Sequence, residues 1–207
     1  MLGVRTHREA HHDEPDHRPP PLYRRATEQA AALIETVRPE DLTRPTPCTA
    51  YDVRALLGHI VGGTRRIALV GEGGDGQSAP LSASDVPGDR WAQAYDEARQ
   101  RAVRAWAGDD RMTATVRVPW GEIPGRAALS AYVMEIVAHT WDLSEAVGRP
   151  VPLDAELAEF SLAAAHEAPP EGPREGRPFD APVPAPRGAD AYGRLAAWLG
   201  REPLGRS

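Results

Sequence analysis

The sequence predicts an all-α protein, a four-helix bundle with one long crossover connection and short C-terminal helices that cap it. Four long segments repeat apolar residues at helical spacing, whereas only one short stretch alternates as a strand does. The 19 glycines and 21 prolines predict long loops between these segments. A chain of 207 residues, 41% of them hydrophobic, can bury one core. We therefore expect a single domain over residues 22–204, preceded by a disordered tail over 1–21.

The predicted tail ends in three consecutive prolines and holds four of the seven histidines. These are His7, His11, His12 and His17. Histidines this close in sequence could hold a metal loosely, but ordering a flexible segment costs entropy. The tail is therefore interpreted as disordered rather than as a dedicated site.

The first two helices are predicted from their apolar stripes and their boundaries. One runs from Leu22 to Val37 and is ended by Pro39. The next runs from about Ala50 to Val70, where Thr49 and Asp52 resemble a capping box. Its apolar face consists of Val53, Leu56, Leu57, Ile60 and Val61. Residues 71–87 form the long connection.

The remaining elements follow from the same periodicity. A third helix is predicted over 88–107 and a fourth over Ala127–Val147, which Gly148 ends. Between them Met112–Val118 alternates, and we expect a short extended excursion rather than a sheet. Two further helical stretches, about 154–167 and 189–200, flank a segment rich in proline and glycine and are expected to cap the bundle.

Charge and composition exclude several classes of function. The formal net charge of -6 opposes binding to nucleic acids and anionic lipids. No apolar run approaches the ~18 residues of a membrane span, and the first residues lack a signal peptide. A lone cysteine, Cys48, suits a reducing compartment. We expect a cytoplasmic protein with no nucleic-acid or membrane partner.

The fourth helix carries the chemistry that the sequence predicts best. Glu135 and His139 lie one turn apart on one face, a spacing that lets two side chains hold one ion, and Asp142 follows on the same strip. If the second helix is adjacent, His59 supplies a third ligand and leaves an open coordination position. The alternative is a solvated Glu–His pair and a histidine at the core boundary. Asp142 could act in catalysis, support a ligand, or be a surface acid.

Two motifs add a resemblance to this pattern. The segment from Pro47 through His59 to Gly63, and the segment Glu135-Ile-Val-Ala-His139-Thr-Trp-Asp142-Leu143, resemble the actinobacterial metal-binding family related to mycothiol-dependent maleylpyruvate isomerase, in the DinB-like superfamily. The closing segment 196–203 is similar to the end of that family as well. The resemblance covers about residues 22–204.

The resemblance implies a DinB-like four-helix bundle that holds a divalent ion through His59, Glu135 and His139. The ion is commonly zinc in the family, although this donor set also suits nickel, iron or manganese. Characterised relatives use low-molecular-weight thiols such as mycothiol for isomerisation or S-transfer. A metal-dependent enzyme acting on a thiol and a small electrophile is therefore the leading hypothesis, with Asp142 as its candidate catalytic residue.

The competing hypothesis is a non-catalytic metal-binding bundle with a structural or sensory role and a helical face used for a homodimer. The two differ at the fourth coordination position, which Asp142 or His166 would close in a structural site. Cys48 precedes a helix, where the dipole favours a thiolate, but a small buried residue in a turn is the preferred interpretation.

Overall fold

The computed structural model describes residues 18–149, 151–167 and 179–205. The helices in this part of the chain are α1 (Pro19–Ile34), α2 (Val53–Gly71), α3 (Trp91–Ala105), α4 (Asp109–Thr113), α5 (Gly125–Val147), α6 (Ala155–Glu167) and α7 (Ala191–Trp198). Two short strands, β1 (Thr115–Val118) and β2 (Gly121–Pro124), complete the set. The expectation of an all-α fold is confirmed. No helix among these combines the length and the apolar character that a bilayer span requires.

Helices α1, α2, α3 and α5 form the bundle. Each packs against two others, in the spatial order α1, α3, α2, α5 and back to α1. Their apolar faces meet in one core, whose largest fully buried side chains include Tyr23, Leu33, Leu57, Tyr95 and Leu129. Helix α6 lies against α5, and α7 lies against α6 and α5. This arrangement places α2 and α5 side by side, which the predicted site requires.

The long connection between α2 and α3 crosses the outer face of α2. The backbone nitrogen of Ala83 donates to the carbonyl oxygen of Gly58 over 2.9 Å. A Cβ at Gly62 would lie only 2.7 Å from Cα of Ser82, so only glycine permits this approach. The connection contains a single 3-10 turn at Gly76–Ser78.

The start of α1 corrects the predicted boundary of the tail. Pro19, Pro20 and Pro21 belong to the first turn of α1, where the missing proline N–H groups would have no intrahelical partner. The fixed proline φ therefore favours the helix instead of preventing it. The rest of the predicted tail, residues 1–17, lies outside the described residues, as does most of the segment rich in proline and glycine.

The start of α2 differs from the predicted capping box. The helix begins at Val53, and its cap is the Asp52 side chain, which accepts a hydrogen bond from the backbone nitrogen of Ala55 over 2.8 Å. Thr49 lies three residues too early to cap it. The residues before α2 are held instead by a β-bridge between Pro45 and Asp52. The prediction missed this bridge because it depends on tertiary contact.

The prediction of an extended excursion without a sheet is wrong. Strands β1 and β2 form a two-stranded antiparallel hairpin, with Val118 paired to Gly121 and Thr115 paired to Pro124. Gly121 takes a φ of 144°, which lets the chain reverse immediately after Trp120. Met112, expected in the extended stretch, belongs to α4. The second strand escaped prediction because its four residues show no strong alternation.

Candidate metal centre

The three predicted ligands meet between α2 and α5. One ligand atom from each of His59, Glu135 and His139 lies within 4.8 Å of the other two. His59 Nε2 is 3.4 Å from Glu135 Oε1, and the two imidazole rings are 4.8 Å apart between centroids. Glu135 and His139 occupy successive turns of α5, as their spacing predicts. The packing of α2 on α5 supplies the rest of the arrangement.

Asp142 contacts the opposite side of His139. Its Oδ2 is 3.1 Å from His139 Nδ1, and its side chain is fully buried. A carboxylate at this distance accepts a hydrogen bond from Nδ1–H, and the Nε2 lone pair is then free to bind a metal. Asp142 therefore lies directly against the imidazole of His139 in the protein interior.

The second histidine is held by an aromatic residue that the sequence analysis did not single out. The Tyr51 ring stacks on His59 with 5.1 Å between centroids, and its hydroxyl is 3.5 Å from His59 Nδ1. Tyr51 also approaches His139 edge-on at 6.5 Å, and Phe179 lies 6.4 Å from His139. These two rings form an apolar wall beside the ligands. Tyr51 lies in the motif before His59, and its place in that motif is the sequence feature that could have indicated its role in the site.

A buried arginine continues the chain of contacts behind Asp142. Arg201 is 4% exposed, and its Nε is 3.6 Å from Asp142 Oδ1. Its Nη2 donates to Cys48 Sγ over 3.2 Å, and its Nη1 donates to Asp180 Oδ2 over 3.2 Å. The guanidinium thus supports Asp142 on the side away from His139. Arg201 lies in the closing motif of the sequence, but no helical pattern connects it to the site.

The carboxyl group of Glu135 is ionised more readily than usual. Burial opposes its ionisation, but the hydrogen bond with His59 and the nearby charges of His139 and Arg66 outweigh that effect and lower its pKa. An ionised carboxylate is the form that binds a metal. The environment of Glu135 therefore suits ligation.

The remaining residues that the sequence analysis considered are not part of the three-residue group. Cys48 is buried, and burial raises the pKa of its thiol. This agrees with the interpretation of Cys48 as a buried residue in a turn. His166 on α6 packs edge-on against Trp198 at 4.1 Å, so it does not reach the site. The four histidines of the predicted tail lie outside the described residues.

Two imidazoles and one carboxylate form a donor set that divalent zinc, nickel, iron and manganese all accept. Among the described residues no fourth side chain joins the group. Gly63 faces this space, since a Cβ there would stand 3.6 Å from Glu135 Oε1 with no other atom within 4 Å. The residues present thus fit a three-ligand site with room beside it.

Comparison with known proteins identifies the family. Residues 23–144 match the model of the mycothiol maleylpyruvate isomerase N-terminal domain. Two proteins of Mycobacterium tuberculosis strains, "Uncharacterized protein MT0763" and "Uncharacterized protein Rv0738", are each 34% identical over 182 residues, covering 86% of this chain and 95% of theirs.

Solved structures show the same fold. The crystal structure of the mycothiol-dependent maleylpyruvate isomerase is similar with a TM-score of 0.59 at 16% identity, over 74% of this chain and 69% of that one. A histidine-to-alanine mutant of that enzyme gives a TM-score of 0.57 at 15% identity over the same shares. The suspected relationship is confirmed, and the chain belongs to the family of the mycothiol maleylpyruvate isomerase N-terminal domain.

Proposed function

We propose that this protein is a metal-dependent enzyme that activates a low-molecular-weight thiol of the mycothiol type for isomerisation of, or S-transfer to, a small electrophile. The observation that carries this proposal is the convergence of His59, Glu135 and His139 within 4.8 Å. Membership of a family that includes a mycothiol-dependent isomerase supports the thiol. Zinc is the expected ion, because it accepts nitrogen and oxygen donors and adds no redox chemistry.

The chain's own residues would prepare the site in three ways. His59, Glu135 and His139 hold the ion, which when bound lowers the pKa of a thiol at its open position. Asp142 fixes the tautomer of His139 by accepting a hydrogen bond from its Nδ1–H. The rings of Tyr51 and Phe179 exclude water from one side, which strengthens the electrostatic interactions within the site.

The rival proposal, a structural or sensory metal site, needs a fourth protein ligand. The two candidates from the sequence do not supply one in this structure. Asp142 already contacts His139 and Arg201, and His166 packs against Trp198. A site with three protein ligands keeps a position for an exchangeable molecule, which favours the enzyme.

The first experiment measures bound metal per chain in untagged, full-length protein. We expect about one zinc ion per chain in the wild type and a loss in each of His59→Ala, Glu135→Ala and His139→Ala. The matched controls are His166→Ala, a helical histidine outside the site, and Glu145→Gln, a partly exposed acid on the same helix as Glu135. Replacing the four tail histidines by asparagine removes any contribution from them.

The second experiment separates the enzyme from the rival. Zinc-loaded wild type should accelerate the reaction of mycothiol with a small unsaturated electrophile, and the three ligand variants should not. A zinc-loaded protein in which chelators and thiols cannot reach the ion would support the structural site instead. A folded wild type that binds no zinc, nickel or manganese would overturn both proposals.

A further inference from the structure

The polar groups between α2 and α5 extend beyond His59, Glu135 and His139. His59, Gly63 and Arg66 lie on one face of α2 at spacings of four and three residues. His59 contacts Glu135, and Gly63 faces Glu135 one turn further along α2. Arg66 follows, close enough that its charge acts on Glu135 and on Tyr132, one turn before Glu135 on α5. The polar strip therefore continues for about one helical turn beyond the ligands.

Arg66 is a buried cation with incomplete hydrogen bonding. The residue is 8% exposed, and its Nη2 donates to the carbonyl oxygen of Ala79. Its Nε has no hydrogen-bond partner, and no carboxylate of the described residues forms an ion pair with it. A buried N–H group of a charged side chain left without a partner is costly. A ligand group that accepts a hydrogen bond from this N–H would remove the cost.

A second unpaired donor stands at the same end of the strip. The Tyr132 hydroxyl is buried and has no hydrogen-bond partner, and the whole residue is 2% exposed. Trp120 of the hairpin turn covers the Tyr132 ring edge-on at 5.8 Å and is itself 56% exposed. This end of the strip thus lies next to the surface.

The charges of the buried groups also favour a bound anion at this end of the strip. Arg66 and Glu135 have opposite charges, and so do Arg201 and Asp142. With both imidazoles neutral, as ligation requires, these groups sum to zero without a metal. A divalent ion would bring the buried site to a net charge of about +2. One thiolate would neutralise half of that, so a second negative charge beside the ion would be stabilised.

We propose that Arg66 and Tyr132 form an anion subsite that binds a carboxylate group of the electrophilic substrate, one helical turn from the metal ligands. Two unpaired donors, one guanidinium N–H and one hydroxyl, match the two oxygens of a carboxylate. A phosphate would leave further oxygens unpaired in a buried site. Gly63 keeps the space between this subsite and the ion free of side-chain atoms. The inference rests on the proposed function.

The test uses zinc-loaded, full-length protein and succinate as the probe, with the neutral succinamide as its matched analogue. Calorimetry in a buffer free of carboxylates should show binding of succinate and at least tenfold weaker binding of succinamide. Arg66→Gln should weaken succinate binding about tenfold or more, because a charge-assisted hydrogen bond is lost. Tyr132→Phe should weaken it less. Arg65→Gln, on the exposed neighbour that pairs with Asp85, should leave it unchanged.

Zinc content and thermal unfolding are measured for every variant. Arg66→Lys keeps the charge without the planar donors and provides a second variant if Arg66→Gln does not fold. Equal succinate binding in wild type and both Arg66 variants, or no preference for succinate over succinamide, would overturn the subsite while leaving the metal intact. A wild type without zinc would instead contradict the proposed function, so the two failures are distinct.

Discussion

Replacing Asp142 with asparagine should weaken zinc binding although Asp142 is not one of the three residues that would hold the ion. The substitution removes one charge and almost no volume. Asp142 Oδ2 accepts from His139 Nδ1 at 3.1 Å, whereas an asparagine can present its amide nitrogen as a donor at the same place. Nδ1 must then accept, and the ring proton moves to Nε2, the remaining nitrogen. A protonated nitrogen cannot bind a metal, so one of the three ligands is lost in that arrangement.

The expected magnitude follows from the contacts of Asp142. Loss of a group that orients a metal-bound histidine costs about 10- to 100-fold in metal affinity, which is about 1.4–2.7 kcal/mol. The metal-free protein is also destabilised, since Arg201 loses a carboxylate neighbour at 3.6 Å. Because Arg201 keeps its hydrogen bonds to Asp180 and Cys48, we expect this loss to be limited to about 1–3 kcal/mol in the free energy of unfolding.

The assay is competition for zinc against a chromophoric chelator at pH 7, followed by urea unfolding of the metal-free protein. The matched control is Asp85→Asn, which removes an exposed carboxylate paired with Arg65. A zinc Kd within twofold of the wild type, in a variant that unfolds cooperatively, would refute the assigned role of Asp142. If the zinc Kd of the control changes as well, the effect comes from the change in the net charge of the protein and not from the contact with His139.

Three further predictions follow from the structure. Gly62→Ala should lower the free energy of unfolding by about 1–3 kcal/mol, because its Cβ would overlap the crossing loop. Gly63→Ala should leave the free energy of unfolding unchanged, and urea denaturation of the two variants tests the difference. Burial raises the pKa of Asp41, but the hydrogen bonds from Arg149 and from a backbone N–H have the larger, opposite effect, so the pKa is lowered overall. Asp41 therefore stabilises the fold above a pH of about 4. That stability should be lost as the pH falls through the folded pKa, and acid unfolding of Asp41→Asn should show a smaller loss. Cys48 should resist alkylation by iodoacetamide at pH 8 in the folded protein, and mass spectrometry that shows rapid modification would contradict its burial.

The sequence predicts the long helices well because each buries a regular apolar face. The fourth is placed at Ala127–Val147, and the structure has Gly125–Val147. Boundaries next to tertiary contacts are missed, as at Asp52, which caps α2 and also forms a bridge with Pro45. The hairpin is missed because β2 has no periodic signal and is fixed by pairing with β1.

Within the site, the sequence identifies residues that recur on one helical face and misses those brought from elsewhere. Glu135 and His139 follow from spacing, and His59 needs only that α2 be adjacent to α5. Tyr51 contacts the two histidines from the segment before α2, and Arg201 contacts Asp142 from the segment after α7, so no periodicity connects them to the site. Arg66 continues the face of His59, but a basic residue near the end of a helix is more often exposed.

The contact between Arg201 and Cys48 joins residues 153 positions apart in the chain. Because Arg201 also supports Asp142, the support behind His139 is incomplete until the segment after α7 has been synthesised and has docked. The bundle helices could therefore pack first, with a site that binds zinc weakly. Tight metal binding would then report that the last described segment is in place, and zinc affinity becomes a measure of complete folding.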